Sequence, residues 1–228
     1  MRRVAGMKFR PLGLLAPIAL IATLPLPAMA REPVSTNATV SAADPRAAAA
    51  GQEILRKGGS ATDAAIAMML TLNVVEPHNS GIGGGGFLMH HDGQSGVLES
   101  IDGRETAPAA ARPDRFMGAD GKPLSFRNAW PGGYSVGVPG NLRLAWDAHR
   151  KWGKLPWADL FQPAIRAAEE GFEVRQRLDT AMKAVAGVWA DFPEIQKYFW
   201  IDGKPAPMGT ILKNPPLAAL FKRIAAEG

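Results

Sequence analysis

Four groupings in this 228-residue chain carry side chains that do chemistry. Asp102-Gly103-Arg104-Glu105-Thr106-Ala107-Pro108 sets one arginine between two carboxylates at the end of an extended run. The planar fork of a guanidinium makes two parallel charge-assisted hydrogen bonds to a carboxylate, so Arg104 suits recognition of a substrate carboxylate. An internal ion pair with Asp102 or Glu105 is the alternative use. Gly133-Tyr134-Ser135-Val136-Gly137 spells the G-x-S-x-G pattern, but a nucleophile elbow needs a buried strand running into the serine and a helix directly after it. Asn128-Ala129-Trp130-Pro131-Gly132 upstream is no strand, and Pro139-Gly140 delays the helix downstream. Gly81-x-Gly83-x-x-Gly86 has the letters of a dinucleotide-binding turn in the wrong order. A helix pattern precedes it and the strand-like Phe87-Leu88-Met89 follows, so no helix N-terminus faces a pyrophosphate. The histidines His78, His90, His91 and His149 include no pair at i, i+4, and adjacent His90 and His91 point to opposite faces of a strand, so no metal site is expected.

The elements that position these residues follow from periodicity and caps. Asp44-Pro45 starts a helix, Ala47, Ala50, Ile54 and Leu55 recur at helical spacing, and Gly58-Gly59 ends it. A second helix begins at Ser60-Ala61-Thr62-Asp63 and runs through Ala64 to Leu70, apolar on every face, so it needs cover on most sides. Sheet is the expected cover, and the strand content is too small to complete the sheets such buried helices need. Phe87 to His90 and Val97 to Asp102 flank Asp92-Gly93 and read as a strand pair, with glycines before the first strand that let another backbone come close. Residues 107–135 are rich in Pro and Gly and read as loop. Helices are predicted at about 141–151, 156–170 and 175–189, where Trp146, Trp152, Trp157 and Phe161 read as packing residues, and the chain closes with a short strand and turn near 198–203 and a helix near its end.

Composition narrows the function. With 46% hydrophobic and 21% charged residues the chain is an ordinary folded protein, and the absence of cysteine excludes disulfides, thiolate metal sites and a thiol nucleophile. Its 26 basic against 21 acidic residues would favour an acidic partner if the excess were spread along the fold. The excess instead sits in Arg2, Arg3, Lys8 and Arg10, followed by an apolar stretch from Pro11 that ends Ala28-Met29-Ala30. That is the layout of a signal peptide cut after Ala30, with Pro17, Pro25 and Pro27 breaking any stable membrane anchor. Residues 31–228 then carry 22 basic and 21 acidic residues, so no nucleic-acid partner is expected, and a periplasmic or secreted location is.

Several segments in order carry a resemblance. Ala50-Gly51-Gln52-Glu53-Ile54-Leu55-Arg56-Lys57-Gly58-Gly59-Ser60-Ala61-Thr62-Asp63-Ala64-Ala65, Asn73-Val74-Val75-Glu76-Pro77, Gly81 to Phe87, Asp102 to Pro108, Gly137-Val138-Pro139-Gly140 and Lys151 to Trp157 resemble the N-terminal part of the γ-glutamyltransferase (glutathione hydrolase) family, over about residues 38–225. The resemblance implies an α/β (α+β) fold, part of the four-layer αββα sandwich of N-terminal-nucleophile hydrolases, with residues 31–228 as the N-terminal part of the large subunit. It implies exported precursors that cut themselves in two, a catalytic threonine on the small subunit, and transfer of the γ-glutamyl group of glutathione and related donors to water, amino acids or peptides. No cofactor or metal is implied. Arg104 matches the arginine that binds the donor α-carboxylate, and Glu105 beside it is a candidate to orient it. The glycines 81–86 match a strand near the site, with backbone packing as their expected role. The catalytic threonine has no counterpart here, so this chain contains no catalytic residue and is expected to be inactive without the small subunit of its precursor. A cephalosporin or glutaryl acylase of the same superfamily, or a non-catalytic exported remnant, are the rival readings.

Overall fold

The computed structural model describes residues 38–228. The expected signal peptide and its cleavage point after Ala30 lie outside the described residues.

Two helices begin the fold, each started by its cap. Helix α1 (Pro45–Arg56) has Asp44 as N-cap, accepting the Arg46 N–H at 2.8 Å, with Pro45 in the first turn where a missing N–H costs nothing. Gly58, at φ +88°, turns the chain away after its last residue. Helix α2 (Ala61–Val75) opens with a capping box: Ser60 Oγ accepts the Asp63 N–H at 3.1 Å and Asp63 Oδ2 accepts the Ser60 N–H at 2.8 Å. The two helices pack at Gly51, where a Cβ would stand 2.8 Å from the Met68 side chain.

The cover of α2 corrects the sequence expectation. Helices supply it rather than sheet: α1, α4 (Asn141–Trp152), α5 (Gln162–Glu170) and the 3-10 turn Trp157–Phe161 pack around it, burying Ile66, Ala67, Leu70, Val74 and Val75. Helix α8 (Pro215–Glu227) packs on α5 and the 3-10 turn from the far side. An edge-to-face series runs through this core: Trp146 and Trp157 have ring centroids 5.2 Å apart, Trp157 and Phe161 4.8 Å, Phe161 and Phe221 5.8 Å. Trp146, Trp157 and Phe161 are thus packing residues, as expected from their place among helices.

Strands β1 (Gly86–His91) and β2 (Leu98–Gly103) form an antiparallel hairpin in the register Gly86 with Gly103, Leu88 with Ile101 and His90 with Glu99. Leu88 and Ile101 face the helices, while Phe87 and Met89 point outward at 65% and 69% exposure. His90 is on the inner face, stacked on Trp152 at 4.3 Å with Nδ1 3.2 Å from Thr62 Oγ1, and His91 is on the outer face. The alternation that separates the two histidines is therefore present.

The remaining elements are short. Helix α3 (Phe126–Ala129) interrupts the loop expected over 107–135, and α6 (Gln176–Trp189) sits where its periodicity put it. Helix α7 (Pro193–Phe199) was not foreseen and leads into β4 (Trp200–Ile201), which pairs with β5 (Lys204–Pro205) across the expected turn. Strand β3 (Phe172–Glu173) pairs with β6 (Ile211–Leu212). The described residues thus make a mixed helix and strand structure with three two-stranded sheets. No helix among them is long and apolar enough to cross a membrane.

Candidate functional site

Arg104 leaves the end of β2 at a point fixed from three sides by backbone. Gly85 lies so close to the chain beside it that a Cβ there would stand 2.5 Å from Gly103 O, 2.7 Å from Glu105 N and 2.8 Å from Arg104 Cα. Gly140 leaves no room for a side chain against the Gly103 carbonyl. Thr106 and Val138 exchange backbone hydrogen bonds at 3.3 and 2.9 Å, tying the segment after Arg104 to the Gly137-Val138-Pro139-Gly140 segment. Asn141, the first residue of α4, holds the glycine run itself: its Nδ2 donates to Gly81 O at 2.7 Å and its backbone N–H to Gly84 O at 3.1 Å. Within the glycine run the close backbone approach is at Gly85, and at Gly84 to a lesser degree, whereas a Cβ at Gly83 would meet nothing within 4 Å.

The arginine held this way has no ion-pair partner among the described residues. Asp102, the obvious candidate, uses Oδ1 to accept the Arg104 backbone N–H at 2.9 Å. No carboxylate among the described residues lies within 4.0 Å of the Arg104 guanidinium, and the side chain is exposed. Glu105 makes no hydrogen bond or ion pair with Arg104 among the described residues. It borders two neighbouring cavities instead. The first, of about 710 Å³, runs along the glycine loop past Met69 and Leu88. The second, of about 570 Å³, is lined by Arg104, Glu105, Thr106, Arg115, Phe116 and Tyr134 among others.

Other sequence candidates fall outside this chemistry. Ser135 sits in a single 3-10 turn, with Oγ within hydrogen-bond reach of the Trp130 and Gly132 carbonyls, so it has no elbow geometry, and no base contacts it among the described residues. His149 Nε2 lies 2.8 Å from the Leu155 carbonyl and 4.0 Å from Asp63 Oδ1, a position that ties α4 to the loop after it. Burial holds the His78 imidazole below its usual pKa of 6.5, with the Glu76 charge acting the other way. Sequence reading passed over two residues of the site. Asn141 gave no signal beyond its place at a helix start, and Arg115 stood in a stretch read only as loop.

What the geometry offers is anion recognition: an unpaired guanidinium on a backbone locked at strand register, beside a cavity of ligand size. A family model described as Gamma-glutamyltranspeptidase matches residues 47–228. The glutathione hydrolase proenzyme of Bacillus subtilis (strain 168) is 39% identical over 201 residues, covering 86% of this chain and 33% of the relative. The solved structure of the gamma-glutamyltranspeptidase from Pseudomonas nitroreducens, complexed with L-DON, matches with a TM-score of 0.77 at 34% identity, covering 86% of this chain and 56% of that one. That of Helicobacter pylori gamma-glutamyltranspeptidase matches with a TM-score of 0.78 at 30% identity, covering 83% and 54%. The chain spans about a third of the length of the curated relatives it matches. With the hairpin, the glycine loop and the helices around α2 all inside the matched region, this chain belongs to the gamma-glutamyltranspeptidase family.

Proposed function

We propose that this chain is the N-terminal part of the large subunit of an exported γ-glutamyltransferase that cleaves the γ-glutamyl amide of glutathione and related donors. Arg104 binds the donor α-carboxylate. The observation that carries this reading is the unpaired Arg104 guanidinium, held at the end of β2 beside a cavity of about 570 Å³. An arginine with no carboxylate partner among the described residues, on a segment pinned by Gly85 and Gly140, is pre-organised for a carboxylate from outside.

In the reaction proposed, the two-point hold on the α-carboxylate fixes one end of the donor, so that the γ-carbonyl meets the nucleophile in a repeatable position. A threonine hydroxyl of the small subunit adds to that carbonyl, its α-amine takes the proton, and the leaving amine departs protonated. Water or an acceptor amine then takes the glutamyl group from the ester. This chain supplies orientation of the donor in that scheme and none of the bond-making atoms. Under the same reading, residues 38–228 complete an αββα sandwich with the rest of the family length. Residues 1–30 act as a signal peptide cut after Ala30, giving a periplasmic or secreted protein.

The test is release of p-nitroaniline from γ-glutamyl-p-nitroanilide by the chain joined to the remaining family length. Arg104→Ala is expected to lower kcat/KM by about a hundredfold or more. Equal rates with and without the guanidinium overturn the assignment.

A further inference from the structure

The second cavity contains more positive charge than one carboxylate needs. Three arginines line it, Arg104, Arg112 and Arg115, against the single acid Glu105. Arg112 is accounted for: its Nε lies 3.3 Å from Asp114 Oδ1 in an exposed pair. Arg115 is not. No carboxylate among the described residues lies within 4.0 Å of it, its Nε is shielded from solvent with no hydrogen-bond partner, and its one polar contact is Nη2 donating to the Gly133 carbonyl at 3.3 Å. Aromatic rings also border the guanidinium. It stands 6.0 Å from the centre of the Phe116 ring and 5.9 Å from that of Tyr134, two rings contributed by opposite sides of the loop.

An arginine beside two aromatic rings, half-buried and without a carboxylate partner among the described residues, leaves a desolvation cost that an incoming anion offsets. We propose that Arg115 is a second carboxylate-binding residue, specific for donors with an anionic group on the leaving side of the scissile amide. For glutathione that group is the C-terminal glycine carboxylate. This rests on the reading that Arg104 takes the α-carboxylate. Arg104 then holds the half of the donor that stays on the enzyme and Arg115 the half that departs, so dianionic γ-glutamyl peptides are preferred over γ-glutamyl amides of neutral amines. The cavity volume, about 570 Å³, is within the range of about 300–1,000 Å³ that small-ligand sites occupy.

The experiment compares three donors with the chain joined to the remaining family length: glutathione, its C-terminal amide and γ-glutamyl-p-nitroanilide. The unsubstituted protein is expected to show a KM about tenfold lower for glutathione than for the amide, as one charge-assisted hydrogen-bonded pair provides. Arg115→Gln is expected to erase that difference by raising the glutathione KM about tenfold, with kcat and the constants for the two neutral-leaving-group donors within about twofold. A merely structural Arg115 shifts all three donors together, and that result overturns the proposal. So does an unsubstituted protein that treats glutathione and its amide alike, which needs no variant to fold. Arg104→Ala separates the two readings: it weakens every donor if Arg104 binds the α-carboxylate. If it changes none, or if no γ-glutamyl donor is turned over, the reading of the site falls first and this inference with it.

Discussion

The carboxylate of Asp63 accepts the backbone N–H of Lys154 at 2.9 Å, joining the first turn of α2 to a loop 91 residues further along the chain. The same oxygen accepts the N–H groups of Leu155 at 3.1 Å and Ser60 at 2.8 Å, and the residue is 0% exposed. One side chain therefore caps a helix and fixes the turn after α4, with His149 Nε2 4.0 Å from its other oxygen. Asp63→Ala strands three N–H groups and is expected to cost about 3 kcal/mol. For a domain of this size that is a fall of roughly 6–12 °C in Tm, read by scanning calorimetry. A fall under about 2 °C would mean that water replaces the carboxylate at little cost.

The glycine loop separates packing from conformation. At Gly85 an added methyl would overlap the backbone that carries Arg104, whereas at Gly83 nothing lies within 4 Å. Neither glycine has a positive φ, so backbone strain does not enter. Gly85→Ala is expected to cost about 1–3 kcal/mol by overpacking. By displacing Arg104 it lowers kcat/KM for a γ-glutamyl donor by about a hundredfold. Gly83→Ala is expected to leave both quantities within experimental error. A matched loss at the two positions would show that flexibility of the loop, and not the approach of Gly85 to Gly103, is what matters.

These two cases mark how far the sequence could be read. Ser60 and Asp63 spell a capping box locally, and the glycines before Phe87 announce a close backbone approach, so both features were visible in the order of residues. The bonds from Asp63 to Lys154 and Leu155 were not, because nothing near Asp63 says which distant loop will bring it two more N–H groups. The role proposed for Arg104 came through the family resemblance, since Asp102 and Glu105 offered two internal partners, and only coordinates show that neither pairs with its guanidinium. Arg115 was hidden for a related reason: its flanking Tyr134 comes from the far end of an irregular loop with no periodicity to predict the pairing. The cover of α2 was misjudged as sheet because an all-round apolar helix states that it is buried and not by what.

Acid is expected to weaken the start of α1. Burial alone would raise the Asp44 pKa, but hydrogen bonds from the Arg46 side chain and backbone, with the charges of Arg46 and Arg175, outweigh it and hold the carboxyl below its ordinary 3.8. A depressed carboxylate contributes stability that is fully present above its unfolded pKa and is lost as pH falls through the folded one. Tm should therefore be insensitive to this group at about pH 6 and fall below pH 3.8. Asp44→Ala is expected to lower Tm at about pH 6 by the equivalent of about 1 kcal/mol, the usual worth of an N-cap, and to flatten the acid limb. An acid limb unchanged by the substitution would assign the loss to other carboxylates.

Glu105 distinguishes orientation from repulsion at the site. Its carboxylate borders both cavities, is exposed and is not paired with Arg104 among the described residues, so it acts on a bound anion across space. At the several-ångström separations within such a cavity, and with solvent between, one like charge costs about 0.5 kcal/mol. Glu105→Gln is therefore expected to lower KM for an anionic donor by about twofold, with the gain fading as ionic strength rises and kcat unchanged. If Glu105 instead orients Arg104 once the donor has bound, the same substitution raises KM and is insensitive to salt. Initial rates at low and high salt decide between the two signs.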